Sequence, residues 1–136
     1  MHTLVTVRSH FCAAHRLYRS DWSQARNHEI FGECANLNGH GHNYDLEVTV
    51  EGPVDPATGM VLDMKALKAI LQREVTGPMD HKNLNLDVAF LEGVIPTAEN
   101  IAVAIWRILE PRIPEGRLVS IKLFESGNNY VEYRGE

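Results

Sequence analysis

The sequence lacks the features that mark membrane proteins and disulfide-rich secreted proteins. It has two cysteines among 136 residues, and two cysteines in a chain of this length do not form a disulfide framework. No apolar run approaches the ~20 residues that a membrane-spanning helix needs, and the polar N-terminus does not resemble a signal peptide. We therefore expect a cytoplasmic protein without membrane contact, in which each thiol is either buried or reactive.

An excess of positive charge is also absent. The formal net charge is −5 at pH 7, which argues against nucleic acid as a partner. The charge is unevenly distributed, because residues 1–28 contain four arginines and a single acid. This segment could bind a small anion, but a solvated loop explains the charge equally well. The four arginines are Arg8, Arg16, Arg19 and Arg26.

The composition that is present indicates one globular domain. Hydrophobic residues make up 44% of the chain and charged residues 23%, which is ordinary for a folded domain with its own core. No repeat, low-complexity tract or linker divides the sequence. We therefore treat residues 1–136 as a single domain.

Alternating apolar residues predict strands over residues 3–15 and 40–51. A closing hairpin around "SGNN" is predicted over residues 118–125 and 130–134. Residues 16–38 have no period and predict a long irregular excursion, a feature that is often functional in a compact domain.

Two amphipathic segments predict helices. Asp63 is placed to cap the first, which should end at Gly77 and Pro78, and Thr97 to cap the second, which should end before Pro111. The order is then strand, strand, helix, helix, strand, strand. It predicts an α+β fold, with an antiparallel four-stranded sheet and two helices on one face.

Three histidines are predicted to end two adjacent apolar stripes. Residues two apart share a face of a strand, so His40 and His42 should share the buried face of Tyr44, and His15 the buried face of its own strand. A lone histidine there would be a hydrogen-bonded core residue, whereas three converging imidazoles favour a metal ion. Three ligands with an open fourth position are typical of catalytic zinc. A structural zinc with Cys34 as fourth ligand, or no metal at all, are the alternatives.

Cys34 lies six residues before His40 in an aperiodic segment. A thiolate beside a metal ion and a histidine is stabilised and can act as a base near neutral pH. We favour this active role over the commoner inert buried cysteine. Cys12 faces away from His15 on its strand, and there we favour the inert role.

Two further acidic positions are candidates. The pair Asp80–His81 could tie a turn, or the carboxylate could orient a histidine that exchanges protons. Glu125 continues the predicted apolar stripe that includes Val119, so its carboxylate should lie on the buried face. The N–H donors of an aminopyrimidine ring would give that acid a bidentate partner. A salt bridge to a neighbouring arginine is the structural alternative.

Six motifs carry a resemblance to a known family. They are "HFCAAHRL", "FGECANLNGHGHNY", "DPATGMV", "MDHKNLN", "PTAEN" and "LFESGNNY". In this order, over nearly the whole chain, they resemble the successive motifs of the 6-pyruvoyl-tetrahydropterin synthases. The resemblance implies the tunnelling fold, bound Zn²⁺ and a homohexamer of two trimers with sites at subunit interfaces. It also implies a lyase of tetrahydrobiopterin biosynthesis that converts 7,8-dihydroneopterin triphosphate to 6-pyruvoyl-tetrahydropterin and triphosphate.

The resemblance assigns roles to the histidines and the thiol. His15, His40 and His42 match the family's zinc ligands, and Cys34 takes the place of its catalytic cysteine. One mild departure is Cys12, which stands where family members usually carry a serine.

The resemblance also assigns roles to the remaining candidates. Asp80 and His81 match the aspartate and histidine that form a relay with the catalytic thiol. Glu125 matches the acid that anchors the pterin ring. Thr97 and Glu99 fall in a further pterin-pocket motif, in which an alanine replaces a common second threonine.

Other functions remain open from the sequence. The related 6-carboxy-tetrahydropterin synthases of deazapurine (queuosine) biosynthesis start from the same substrate, but their cysteine typically lies closer to the histidine pair than the five-residue "ANLNG" spacing here. A non-catalytic, zinc-stabilised oligomer leaves the free thiol unexplained, and a generic zinc hydrolase leaves Cys34 and Glu125 unexplained. Any of five basic residues could bind the triphosphate: Arg8, Arg16, Arg19, Arg26 and Lys82.

Overall fold

The computed structural model describes residues 2–136, and its centre is one sheet of five strands in the order β3-β1-β2-β4-β5. The predicted α+β class is confirmed, but the sheet has one strand more than the four predicted. The additional strand is two residues long and pairs in parallel with β1, whereas all other pairs are antiparallel. The strands are β1 (Thr3–His15), β2 (His40–Gly52), β3 (Lys82–Asn83), β4 (Arg117–Phe124) and β5 (Tyr130–Tyr133).

The first two strands form the longest pairing of the sheet. β1 and β2 pair over their whole length, with Phe11 opposite Tyr44 and His15 opposite His40. The apolar residues of their alternating patterns are buried on one face, and the Phe11 and Tyr44 rings stack at 4.8 Å between centroids. The predicted parity is therefore correct, and it brings the histidines to the same end of the sheet.

Four α-helical segments lie within residues 2–136. They are α1 (Gln24–Phe31), α2 (Met64–Leu71), α3 (Gly77–Met79) and α4 (Ala98–Leu109). Both predicted caps are confirmed: the Asp63 carboxylate accepts a hydrogen bond from the Lys65 backbone N–H at 2.9 Å, and the Thr97 hydroxyl accepts one from Asn100 N–H at 3.1 Å. α2 and α4 pack against the apolar face of the sheet in a single core.

Helix α1 lies inside the segment that was predicted to be irregular. Its only buried residue is the polar Asn27, whose side chain bonds the carbonyl oxygens of Arg19 and Ser23. A helix without an apolar stripe gives no periodic signal. The Ser23 cap, which accepts a bond from Arg26 N–H, is the one local sign of its start.

The predicted end of the first long helix at Gly77 and Pro78 is wrong. The chain continues from α2 through a π-helical turn, Gln72–Thr76, and then through α3 to Met79. Pro78 lies at the start of α3, where the hydrogen-bond pattern has just changed at the π-helical turn, and proline is tolerated at the start of a helical segment. Gly77 is required here, because a Cβ would lie 2.4 Å from the Gln72 carbonyl oxygen. This continuation carries the chain to Asp80.

The predicted apolar stripe of β4 is wrong at Val119, because the sheet contains a bulge. The register between β2 and β4 shifts at Thr49 and Val50, so that Leu118 faces Val50 and Ser120 faces Thr49. Leu118 therefore takes the buried position predicted for Val119. The parity of the following residues is unaffected. Within residues 2–136, no helix is long and apolar enough to cross a membrane.

Candidate metal centre and active site

The three histidines converge where β1 ends and β2 begins. His15 and His40 are cross-strand partners, and His42 lies two residues further along β2. One ligand nitrogen from each lies within 4.8 Å of the other two, and the Nε2 atoms of His15 and His40 are 3.0 Å apart. The predicted convergence is confirmed, and the group is placed to hold a metal ion.

A backbone carbonyl fixes the tautomer of His15. Its Nδ1 lies 2.8 Å from the Pro96 carbonyl oxygen, just before α4. A carbonyl can only accept, so Nδ1 carries the proton and Nε2 presents a lone pair to the centre. The Tyr44 hydroxyl, 3.3 Å from the same nitrogen, can then act only as a second acceptor. His15 is thus oriented as a metal ligand needs to be.

Burial keeps two of the imidazoles neutral. Desolvation is the main cause that lowers the pKa of His15, although its bond to Pro96 partly opposes the shift. Desolvation also lowers the pKa of His42, against the opposing effect of the Glu125 carboxylate. Neutral imidazoles are the form that binds metals.

One atom of this centre is buried without a partner. Among residues 2–136, His42 Nε2 makes no hydrogen bond. The nearest acid, Glu125 Oε1, lies at 3.6 Å, which is beyond hydrogen-bond distance. A buried nitrogen left unpaired is costly. A metal ion shared by the three histidines would satisfy it, so the residues present fit a metal ion.

Cys34 lies on the segment that adjoins this centre. It is a half-buried free thiol on the 3₁₀ turn Gly32–Ala35. Its backbone carbonyl accepts a hydrogen bond from Leu17 N–H at 2.8 Å, which ties the turn to the chain just after His15. The pKa of Tyr44 is raised far above its usual value, mainly by burial and further by the nearby Glu125 carboxylate.

Asp80 and His81 form the predicted carboxylate–histidine pair, which contacts β1 at Cys12. Asp80 Oδ2 lies 3.0 Å from His81 Nδ1, and Asp80 Oδ1 accepts a hydrogen bond from Cys12 N–H at 2.9 Å. These contacts, first the Cys12 N–H and then His81, lower the pKa of Asp80. His81 has a φ of 60°, and its side chain is 81% exposed. Such a backbone angle is uncommon outside glycine and is found at functional sites.

The thiol beside this pair is Cys12 and not Cys34. Cys12 and His81 line one surface cavity of about 480 Å³. In the part of the chain described, no hydrogen bond or ion pair joins Cys34 to Asp80 or His81. Within residues 2–136, the predicted relay and the predicted base are therefore not joined by a direct polar contact.

Glu125 directs its carboxylate toward the metal centre. It follows β4 directly, its backbone N–H bonds the Asn129 carbonyl at 3.1 Å, and its side chain is 31% exposed. Among residues 2–136, the nitrogen found within 4.0 Å of its carboxylate belongs to His42 and not to an arginine, so the alternative of an arginine salt bridge finds no support. Its predicted role as a pterin anchor stays a prediction.

The two residues of the "PTAEN" motif lie at the start of α4. Thr97 is the helix cap, and Glu99 is exposed in the first turn. The preceding Pro96 carbonyl bonds His15, so the start of α4 borders the metal centre. Their pocket roles stay predictions, because the cap alone accounts for a threonine at position 97.

Sequence reasoning missed two polar contacts that hold the site together. One is the Pro96 carbonyl on His15. The other is Asn85, whose side chain accepts a bond from the Arg16 backbone N–H at 2.7 Å and donates one to the Arg16 carbonyl at 2.9 Å. Asn85 joins the segment after His81 to the segment after His15. Neither contact leaves a periodic pattern in the sequence.

Comparison with known proteins gives a consistent result. The family model described as 6-pyruvoyl tetrahydropterin synthase matches residues 4–136. The 6-pyruvoyl tetrahydrobiopterin synthase of Pongo abelii is 48% identical over 132 residues, which cover 97% of this chain and 91% of the relative. The Homo sapiens enzyme of the same name is 47% identical over the same shares.

A solved structure agrees with this result. The 6-pyruvoyl tetrahydropterin synthase of Caenorhabditis elegans superposes with a TM-score of 0.94 at 36% identity, covering 100% of this chain and 97% of that one. The predicted resemblance and the tunnelling fold are thereby confirmed. This chain belongs to the 6-pyruvoyl tetrahydropterin synthase family.

Proposed function

We propose that this protein is a lyase that converts 7,8-dihydroneopterin triphosphate to 6-pyruvoyl-tetrahydropterin with release of triphosphate, in tetrahydrobiopterin biosynthesis. The names of the animal relatives agree with this branch of the family. The observation that carries the proposal is the centre of three histidines, with a buried, unpartnered His42 Nε2 that faces Glu125.

We propose that the metal is Zn²⁺, held by His15, His40 and His42. Three imidazoles with a fourth position left open are the donor set of catalytic zinc sites. Zinc bound there would act as a Lewis acid, which makes the C–H beside a coordinated hydroxyl more acidic. The Pro96 carbonyl supports this ligand set, because it orients His15 from outside the centre.

The side chains around the centre divide the remaining work. Cys34 takes the proton from the substrate carbon, as a base on a turn fixed to β1. Asp80 orients His81, which exchanges protons during elimination and tautomerisation. Glu125 accepts hydrogen bonds from the N–H groups of the pterin ring. Thr97 and Glu99 border the same pocket at the start of α4.

This division requires more than one subunit, and we propose a homohexamer of two trimers. The support is that, among the described residues, no polar contact joins Cys34 to Asp80 or His81, and that His81 is exposed. Large apolar side chains lie exposed a few residues after each group: Leu86, which follows His81, is 78% exposed, and Leu37, which follows Cys34, is 69% exposed. A neighbouring subunit that brings its His81 to Cys34 would complete the site. We further propose a reducing, cytoplasmic setting, in keeping with the two free thiols.

The test is the product formed from 7,8-dihydroneopterin triphosphate. The zinc-loaded protein is incubated with this substrate, the pterins are separated, and any volatile aldehyde is trapped. We expect 6-pyruvoyl-tetrahydropterin and one triphosphate per turnover, with the three-carbon side chain retained. Stoichiometric acetaldehyde with a 6-carboxy pterin would instead place the protein in the carboxy-forming branch.

A further inference from the structure

One arginine of the basic N-terminal segment differs from the other three. Within residues 2–136, Arg16 forms no ion pair, whereas each of the others has a carboxylate within 3.5 Å. Each of those three guanidinium groups already has a protein carboxylate beside it, with which an anionic ligand would have to compete. The pairs are Arg8 with Glu47, Arg19 with Asp21, and Arg26 with Glu29.

Arg16 is nevertheless held firmly in place. Its Nε donates a hydrogen bond to the Ala35 carbonyl at 2.9 Å, and its guanidinium lies over the Tyr18 ring at 3.9 Å from the centroid. Its backbone N–H and carbonyl are both bonded by the Asn85 side chain. These contacts use the Nε and one face of the guanidinium. The two terminal amino groups have no hydrogen-bond acceptor among the residues described.

The location of Arg16 is set by its neighbours in sequence and in space. It directly follows the metal-centre residue His15, and its guanidinium bonds the residue directly after Cys34. Arg16 therefore adjoins His15 in sequence and contacts the turn that carries Cys34.

We propose that Arg16 binds the triphosphate group of the substrate through its two terminal amino groups, an inference that rests on the proposed function. The planar fork of a guanidinium matches two phosphate oxygens. Its fixed geometry lowers the ordering cost of binding. Lys82, the other candidate without an ion pair among the described residues, is exposed beside His81, and no hydrogen bond to those residues holds its side chain.

The test compares a ligand that has the phosphates with one that lacks them. Binding of inorganic triphosphate and of 7,8-dihydroneopterin is measured by calorimetry on the zinc-loaded wild-type protein and on Arg16→Gln. We expect the Kd for triphosphate to rise about 10- to 100-fold, the range for losing a charge-assisted hydrogen bond. The Kd for 7,8-dihydroneopterin should stay within about threefold, because the pterin contacts are untouched.

Two further variants sharpen the result. Arg16→Lys should lose part of the triphosphate affinity, because an ammonium cannot bind two oxygens in a fork. Arg19→Gln is the matched control, since Arg19 belongs to the same basic segment but is paired with Asp21, and it should bind triphosphate as the wild type does.

The possible failures are distinguishable. An equal loss of affinity for both ligands in Arg16→Gln would mean that Arg16 acts only by holding the Cys34 turn, and an unchanged triphosphate Kd would mean that it does not bind the anion. Either result overturns the inference. Failure of the wild type to convert 7,8-dihydroneopterin triphosphate would overturn the proposed function instead, while a selective loss of triphosphate binding in Arg16→Gln would still support the anion site.

Discussion

The histidine centre and the Asp80–His81 pair are built in opposite ways. The centre lies at the end of the longest strand pairing, where His15 is 1% exposed and is oriented by a backbone carbonyl. The pair lies at the sheet edge beside β3, where His81 is 81% exposed and the backbone adopts a positive φ. One group is complete within a single chain, and the other presents its histidine to the outside.

This difference indicates where rigidity is needed in the proposed reaction. Metal ligands must be preorganised, because three imidazoles have to be neutral and correctly aimed before an ion binds. A proton relay needs only a fixed tautomer and access to its partner. Asp80 fixes the tautomer through its contact with His81, and a second subunit would bring the thiol with which His81 exchanges protons. Five experiments test this contrast.

The largest effect is expected at the histidine centre. His42→Ala should lose its zinc and all measurable turnover, because two imidazoles do not hold the ion in a catalytic geometry. Metal analysis after gel filtration checks the first result, with one zinc per wild-type chain as the reference. His2→Ala is the control, since His2 directly precedes β1 at the end of the strand away from His15 and its side chain is 60% exposed. Full zinc occupancy in His42→Ala would contradict the assignment of the ligands.

The second effect separates the thiol from the metal. Cys34→Ala should keep its fold and its zinc but lose turnover by ~10²–10⁴-fold, the usual contribution of a general base. Metal analysis and steady-state kinetics measure the two quantities on one preparation. Cys12→Ser is the matched control, because the contact of Cys12 with Asp80 is made by its backbone N–H and survives the change. Loss of zinc in Cys34→Ala would make this residue a fourth ligand.

A mixing experiment asks whether the relay comes from a neighbour. Cys34→Ala and His81→Ala are each expected to be nearly inactive, but subunits mixed after mild unfolding should recover activity. About a quarter of the sites would then combine an intact thiol with an intact relay, by random pairing across a heterologous interface. The measured quantity is the turnover per total subunit, compared with that of the wild-type protein. No recovery from an oligomer shown to contain both variants would place the whole site in one chain.

Local patterns in the sequence correctly predicted the strand faces and the helix caps. The strand parity of His15, His40 and His42 follows from a period of two, and it is correct because β1 and β2 pair without interruption. Asp63 and Thr97 cap the helices as predicted, since capping depends on residues two or three positions away. Signals that are confined to a few neighbouring residues can be read from one sequence.

Contacts between distant segments could not be predicted in this way. Asp80 bonds Cys12 across 68 positions in the chain, and β3 exists only because β1 offers it an edge. The bulge that moves Val119 out of the core depends on the register with β2. Each of these features is decided by tertiary packing, which local propensity does not contain.

A smaller effect than that of the thiol is expected at Glu125. Glu125→Gln should weaken substrate binding by roughly 2–5 kcal/mol, the range for removing one partner of a hydrogen-bonded charge pair. The measurement is the Kd of 7,8-dihydroneopterin, alongside the free energy of unfolding. Glu132→Gln is the matched control, since that carboxylate accepts a 2.7 Å bond from Ser120 within the protein and should affect only stability. A stability loss with unchanged affinity in Glu125→Gln would reject the anchor.

The smallest effect is expected at Thr97, and it decides whether this residue belongs to the pocket. Thr97→Ala removes the hydroxyl that accepts from Asn100 N–H and should lower the free energy of unfolding by ~1 kcal/mol. Asp63→Ala removes the equivalent cap of α2, which is distant from the histidine centre, and should cost a similar amount. If Thr97 is a cap alone, both variants will bind 7,8-dihydroneopterin equally well. A weaker Kd for Thr97→Ala alone, restored by Thr97→Ser, would show that the hydroxyl at the start of α4 also contacts the substrate.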